Sequence, residues 1–160
     1  MSEEKFNIDL ISLESINVTN ATLENHGGLT TKDHSAYELS FQYQLIPSIS
    51  IRSKKVQVLT EYEIRATKSD TASPDISSRY SIVFLFGIKN LPNLAVVKDN
   101  ELISIDEEML SSLMNIAYST SRGILYTRYL GTVLDGVILP VISSAELLES
   151  TGIRSIPNKK

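Results

Sequence analysis

The hydrophobic pattern of this chain changes period once, near Ser104, and that change decides what it can fold into. Upstream, apolar residues recur at every second position; downstream they recur at three- and four-residue steps. Strands followed by a helix, rather than alternating with helices, predict an α+β fold. The clearest strand runs from Tyr37 to Leu45. Tyr37, Leu39, Phe41, Tyr43 and Leu45 share one face, Glu38, Ser40, Gln42 and Gln44 the other, and Pro47 is expected to close it. Val56, Val58, Thr60, Tyr62, Ile64 and Ala66 alternate against Gln57, Leu59, Glu61, Glu63 and Arg65 in another half-buried strand. Phe6, Ile8 and Leu10 also alternate, but Ile11 and Leu13 take the opposite parity. The first strand, Phe6 to about Val18, is therefore expected to carry a bulge or bend. From Tyr80 to Ile88 both parities are apolar, as in a strand covered on both faces or exposing one to a partner. Asn20–Asp33 and Ser69–Ser78 read as connections, and Arg52, Lys54 and Lys55 as a basic turn. Four strands without an intervening helix predict an antiparallel meander.

Ser104 and Glu107 have the spacing of a capping box, and Leu110, Leu113, Ala117, Ser121 and Ile124 follow at helical steps. A long helix over Ile105–Leu130 is predicted. Its middle, Ser119-Thr120-Ser121-Arg122-Gly123, is small and polar. Either a kink or the close approach of another element explains this, the second being slightly favoured. Gly131 is placed to end the helix. Val133–Ile142 reads as an extended apolar linker interrupted by Gly136 and Pro140. Ser143 and Glu146 form a second capping-box pair before a short C-terminal helix, Ala145 to about Ser150. A chain of 160 residues suits one core. One domain over 1–152 and a flexible, mildly basic tail over 153–160 are expected.

The residue inventory removes most chemistry. There is no cysteine, so disulfides, thiolate metal sites and thiol nucleophiles are excluded. The net charge of -4, from 15 Lys and Arg against 19 Asp and Glu, argues against nucleic acid as a partner. No apolar run is long enough to span a bilayer, so membrane insertion is not expected. The opening Met-Ser-Glu-Glu-Lys-Phe-Asn lacks the pattern of a secretory signal, which points to a cytoplasmic setting. His26 and His34 flank a glycine loop and would make an enzyme only if they converged with Glu24; a solvated loop is the plainer expectation. Asp106, Glu107 and Glu108 suit the positive end of the helix dipole better than a metal. No serine sits in a nucleophile elbow and the glycines build no phosphate loop. No enzyme, metal or cofactor is expected.

Hydrophobic residues make up 42% of the chain, more than one sheet face and one helix readily hide. The unassigned surplus lies on Tyr80–Ile88 and on Leu134, Val137, Ile138, Leu139 and Val141. It predicts a subunit interface, a ligand groove or both. The alternative is that the linker simply covers its own core.

Gly131-Thr132, then seven residues, then Pro140-Val141 form one short signature, and Ile16-Asn17-Val18-Thr19-Asn20-Ala21 another. Together with the order of elements over residues 6 to 150, these resemble the crossover segment and opening strand of the SecB-type protein-export chaperones. Tyr118 is similar, one residue out of register, to the tyrosine that opens that family's long helix. The resemblance implies a homotetramer, a dimer of dimers with its long helices packed between sheets; here that interface would use Leu113, Ala117, Ser121 and Ile124. It also implies an ATP-independent holdase binding unfolded polypeptides in hydrophobic grooves, with protein export among its roles. Carried over, the groove falls on Leu134, Val137, Ile138 and Leu139, with Pro140 fixing its end and Tyr43 and Tyr62 contributed by the strands. Exporting members are strongly acidic, whereas this tail carries Arg154, Lys159 and Lys160 and no acidic residue after Glu149. Docking to a translocation motor is therefore left open. The alternative is a dedicated binding or scaffold protein of the same fold with a single partner, for example an antitoxin.

Overall fold

A computed structural model describes residues 6–26, 37–67, 75–99 and 101–152 of the chain. Four long strands, β1 (Ile11–Asn25), β2 (Glu38–Ser50), β3 (Lys55–Thr67) and β4 (Ile76–Ile88), form one antiparallel sheet. The α+β class and the four-stranded antiparallel sheet are as expected. The spatial order is β1-β4-β3-β2, so only β2, β3 and β4 run as a meander and β1 crosses over to pair with β4. This is the Greek-key arrangement with the N-terminal strand as the returning one.

The strands outrun the alternation that announced them. Pro47 does not close β2; it lies within it, opposite Val58. β2 is an edge strand, and an edge strand leaves alternate amides outside the ladder, where proline removes no inter-strand bond. β1 begins later than expected and ends later. The parity switch at Ile11 marks the end of a 3-10 turn over Ile8–Leu10. The bulges lie further on, between Leu13 and Ser15 and between Val18 and Asn20. Each advances the phase by one residue. Ile11 and Leu13, Ile16 and Val18, and Ala21 and Leu23 consequently share one face, opposite Ile88, Phe86, Phe84, Ile82, Tyr80 and Ser78.

That face is the core side. β3 contributes Val56, Val58, Tyr62, Ile64 and Ala66, and β4 contributes Ile76, Tyr80, Ile82, Phe84, Phe86 and Ile88, all buried. The long helix α2 (Glu107–Tyr129) lies over it and buries Met109, Leu110, Leu113, Met114, Ala117, Tyr118, Ser121, Leu125 and Tyr129. Its N-cap is Asp106, whose side chain accepts from the Met109 amide at 2.8 Å. The expected Ser104 cap instead sits in a strand. A short helix α1 (Leu91–Leu94) and a hairpin of β5 (Ala95–Lys98) and β6 (Glu101–Ile105) fill the gap between β4 and α2. The small middle of α2 is not uniformly a close contact. Ser121 is fully buried with its Oγ 3.4 Å from Thr60 Oγ1, whereas a Cβ on Gly123 would meet nothing within 4 Å.

Beyond α2, Gly131 takes a positive φ of 76°, the left-handed conformation that ends a helix at little cost to glycine. The linker then folds back across the molecule, and α3 (Ser144–Ser150) starts at a complete capping box of Ser143 and Glu146. The expected tail over 153–160 lies outside the described residues.

Towards its C-terminal end, β4 is bare at Gly87. A Cβ there would collide with the Glu14 carboxylate and come within 2.9 Å of Ser12 Oγ. Glu14 in turn pairs with Lys55 at 2.8 Å. Gly87→Ala should push Glu14 away and break that half-exposed pair, lowering stability by about 0.5–1 kcal/mol, read as the urea midpoint. In a Glu14→Ala background the same change should cost less, because only the Ser12 hydroxyl then has to move.

Candidate functional site

The linker from Gly131 to Ser143 is a strap laid along one flank of α2. It starts as a compact turn: Thr132 Oγ1 donates to the Tyr129 carbonyl at 2.7 Å, and the Asp135 carboxylate accepts from the Gly131 amide at 3.1 Å. Gly136 takes the second positive φ, 85°. The remainder is extended and is fastened by two side chains of α2. Tyr118 Oη donates to the Pro140 carbonyl at 2.9 Å, and Arg122 Nε donates to the Leu139 carbonyl at 3.0 Å. Asn115 Nδ2, donating to Ser144 Oγ at 2.9 Å, secures the far end.

Behind the strap stands an aromatic cluster. Tyr118 meets Tyr43 edge-on with ring centroids 5.7 Å apart and Tyr62 at 6.1 Å. The fold thus brings the two strand tyrosines to the strap's proline end, with Tyr118 between them. Tyr118 and Arg122 are the residues that sequence reasoning passed over as anchors. A polar side chain one or two turns along the same helix flank as Tyr118 was the available signal. Burial pushes the Tyr43 hydroxyl up, and the carboxylates of Glu146 and Glu149 push it further. Burial lifts Tyr62 to about 12, against the opposing effect of the Ser121 and Thr60 hydroxyls. Both phenols remain neutral at ordinary pH.

The expected groove residues do not share one environment. Leu134, Val137, Leu139 and Tyr62 are buried within the chain and Tyr43 is half-buried. Only Ile138, 53% exposed, faces out, joined by Val141 at 83%. So the strap does cover its own core, as the plainer alternative held, while presenting two apolar side chains to solvent. The expected interface stripe also lies largely inside the chain. Leu113, Ala117 and Ser121 are fully buried against the chain's own sheet and offer no surface to another subunit; Ile124 is half-buried. The exposed apolar row lies instead on β1, where Leu13, Ile16, Val18 and Leu23 extend the core-side face past the cover of α2. Val96, Val97 and Ile103 are exposed on the β5–β6 hairpin.

The opposite sheet face is mixed: Ile46, Leu59, Val83 and Leu85 lie part-exposed on it, so β4 is apolar on both faces as its sequence suggested, and polar residues occupy the rest. A shallow cleft of about 370 Å³ is lined there by Asn20, Gln42, Glu61, Glu63, Arg79 and Ser81 among others. Glu63 accepts from Arg65 and Arg79, each at 3.0 Å. Burial pushes its carboxyl up, but the two guanidinium groups outweigh that and hold it below the usual range. The His26 ring lies 3.1 Å from Glu24 on the surface, its backbone amide donates to the Asp75 carbonyl at 2.8 Å, and His34 lies outside the described residues. Among the described residues no three His, Asp or Glu side chains are grouped to hold a metal ion, and no helix is long and apolar enough to cross a membrane.

No protein-family model and no curated protein matches the chain. Solved structures do. A Mycobacterium tuberculosis SecB-like chaperone, Rv1957, in complex with a ChAD peptide from the Rv1956 HigA1 antitoxin, superposes with a TM-score of 0.57 at 14% identity. The match covers 84% of this chain and 92% of that one. A Streptococcus agalactiae protein of unknown function gives a TM-score of 0.42 at 10% identity, over 82% and 97% of the two chains. The fold is therefore SecB-like.

The polar atoms under α2 make two contrasting predictions. Tyr129 Oη is 2.8 Å from Ser78 Oγ, whose own proton goes to the Thr22 carbonyl at 3.0 Å, so Tyr129 is the donor. Tyr62 Oη is buried near the Ser121 and Thr60 hydroxyls, but these pair with each other and neither makes a hydrogen bond to it. Tyr129→Phe should cost about 1 kcal/mol, while Tyr62→Phe should leave the urea midpoint unchanged or raise it.

Glu63 gives a pH dependence. Its folded pKa is depressed, so its contribution is present above the ordinary carboxylate range and is lost as pH falls through the folded value. Replacing it (Glu63→Gln) should lower stability near neutrality and flatten the fall in melting temperature between about pH 5 and pH 3.

Proposed function

We propose that this chain is an ATP-independent, SecB-like chaperone that holds unfolded or partly folded polypeptides on apolar surface, with no catalytic step, in the cytoplasm. The observation that carries this reading is the bare apolar surface of a folded chain whose architecture is SecB-like. Ile138 and Val141 on the strap and the row Leu13, Ile16, Val18 and Leu23 on β1 stand open to solvent. Single exposed apolar residues are ordinary; a row along one strand beside the core marks a surface that associates. Contacts of this kind select for apolar content rather than for a fixed polar pattern, as a broad client range requires.

In this reading the surfaces divide the labour. Ile138 offers the first contact for an extended client, on a strap that Leu134, Val137 and Leu139 anchor over Tyr43 and Tyr62. The β1 row serves self-association, the expected tetramer, in place of the buried α2 stripe. An edge strand of 15 residues adds unpaired backbone groups to that surface.

A dedicated partner is the second reading, and one feature favours it. The strap fills its own trough, so a ligand must compete with it, and a single well-matched sequence competes better than a general mixture. The Rv1957 structure carries an antitoxin peptide, which makes an antitoxin-like segment the first candidate.

Two measurements test the proposal. Light scattering should return a native mass about four times the 17.8 kDa chain; a monomer would remove the role given to β1. The protein should also slow aggregation of chemically unfolded substrates at an equimolar ratio of oligomer to substrate. Ile138→Asp with Val141→Asp, both at exposed positions, should weaken that protection several-fold with the melting temperature held within about 2 °C. No protection of several substrates, together with recovery of one stoichiometric partner from cell extract, would favour the dedicated binder.

A further inference from the structure

The strap is held by its own chain in the manner of a foreign peptide. Its side chains alternate from Val137 to Pro140, with Val137 and Leu139 buried and Ile138 and Pro140 exposed; Val141 is exposed as well and Ile142 is half-buried. Its backbone is gripped on one side only. The carbonyls of Leu139 and Pro140 accept from Arg122 and Tyr118. Among the described residues, no amide of Ile138, Leu139, Val141 or Ile142 donates to another backbone group. A strand in a sheet uses both its donors and its acceptors; this segment is read through its acceptors. The two positive-φ glycines, Gly131 and Gly136, sit at its start, and a Cβ on either would meet nothing within 4 Å. The extended part of the segment therefore begins at a glycine turn, Gly131–Gly136, whose hydrogen bonds are local to the turn and to the end of α2.

We infer that the strap is a built-in occupant of a trough beneath it, floored by Tyr118, Arg122 and the Tyr43–Tyr62 pair, and that a lifted strap yields this trough to extended apolar segments of its own kind. The inference rests on the polypeptide-binding reading and deepens it by naming the ligand class. The trough supplies donors, a guanidinium and a phenol, and no backbone edge of its own. It therefore reads the carbonyls of its ligand and makes no use of its amides. Proline keeps its carbonyl and lacks only the amide, so leucine-, isoleucine- and valine-rich segments interrupted by proline fit here as well as unbroken ones. Such segments fit poorly where recognition adds a strand to a sheet.

The experiment loosens the strap and leaves the trough intact. Leu139→Ala removes a buried anchor, and Pro140→Gly, at an exposed position, makes the strap more flexible without removing core. A labelled peptide carrying Val-Ile-Leu-Pro-Val-Ile between lysine ends is titrated into wild-type and variant protein and followed by anisotropy. A second peptide has aspartate in place of its leucine. The first peptide should bind Leu139→Ala at least tenfold more tightly than wild type, with Pro140→Gly between them, and the aspartate peptide should bind none of the three. Equal affinity for wild type and both variants, or equal binding of the two peptides, would overturn the assignment. Protection of unfolded substrates by the wild type is measured in parallel. If it persists while peptide affinity does not change, the strap assignment fails alone; if it is absent while Leu139→Ala binds the peptide, the holdase reading fails and the trough stands.

Discussion

One helix has to cover a sheet that is too wide for it. An α-helix with its side chains is about 10–12 Å across, while four strands spaced about 4.8 Å apart present roughly 19 Å of surface. α2 settles over the middle and one side. Its Tyr118 reaches Tyr43 and Tyr62, its Ser121 meets Thr60 on β3, and its Tyr129 meets Ser78 and Tyr80 on β4. The strap and α3 extend the cover towards β2. Among the described residues nothing comparable extends it towards β1, and that strand keeps its core-side residues part-exposed. The bare row on β1 and the filled flank by β2 thus have one geometric origin.

The contact beneath α2 mixes oil with hydroxyls. Thr60 donates to the Ile82 carbonyl at 3.2 Å, Ser121 approaches Thr60, and Ser78 joins Tyr129 to the backbone of β1. Each bond is modest, yet their directions set the azimuth of the helix as a purely apolar contact would not. That orientation turns Tyr118 and Arg122 to the flank where the strap's carbonyls lie. The hydroxyl contacts and the strap are linked: one fixes the rotation that the other uses.

The parts of this architecture legible in the sequence were those governed by unbroken local periodicity. β3 alternates over its whole length and was placed within a residue at either end; the capping box of Ser143 and Glu146 announced α3. β1 was misjudged because its two bulges scramble odd and even, so its apolar face is coherent in space and incoherent in sequence. The return of β1 to β4 is a non-local choice that no local signal carries. The α1 turn and the β5–β6 hairpin went unassigned because their residues, part-exposed and short, repeat no period. At the site, the apolar character of the strap was plain, but which way each side chain turned was not. Leu134 and Ile138 look alike as letters, and only the packing of α2 separates the buried one from the exposed one.

The hairpin inserted between β4 and α2 has an architectural consequence. Its two ends are stitched together: Ala95 pairs with Ile105, and the Asp106 amide donates to the Leu94 carbonyl at 2.7 Å. Asp106 then caps the helix. The excursion therefore returns to its point of departure before the helix begins, and the scaffold registers only its base. A loop closed in this way is evolutionarily cheap to lengthen, trim or redecorate, since changes at its tip are not transmitted to the helix. Relatives built on this plan are free to diverge most at that spot while the sheet and its cover stay in register.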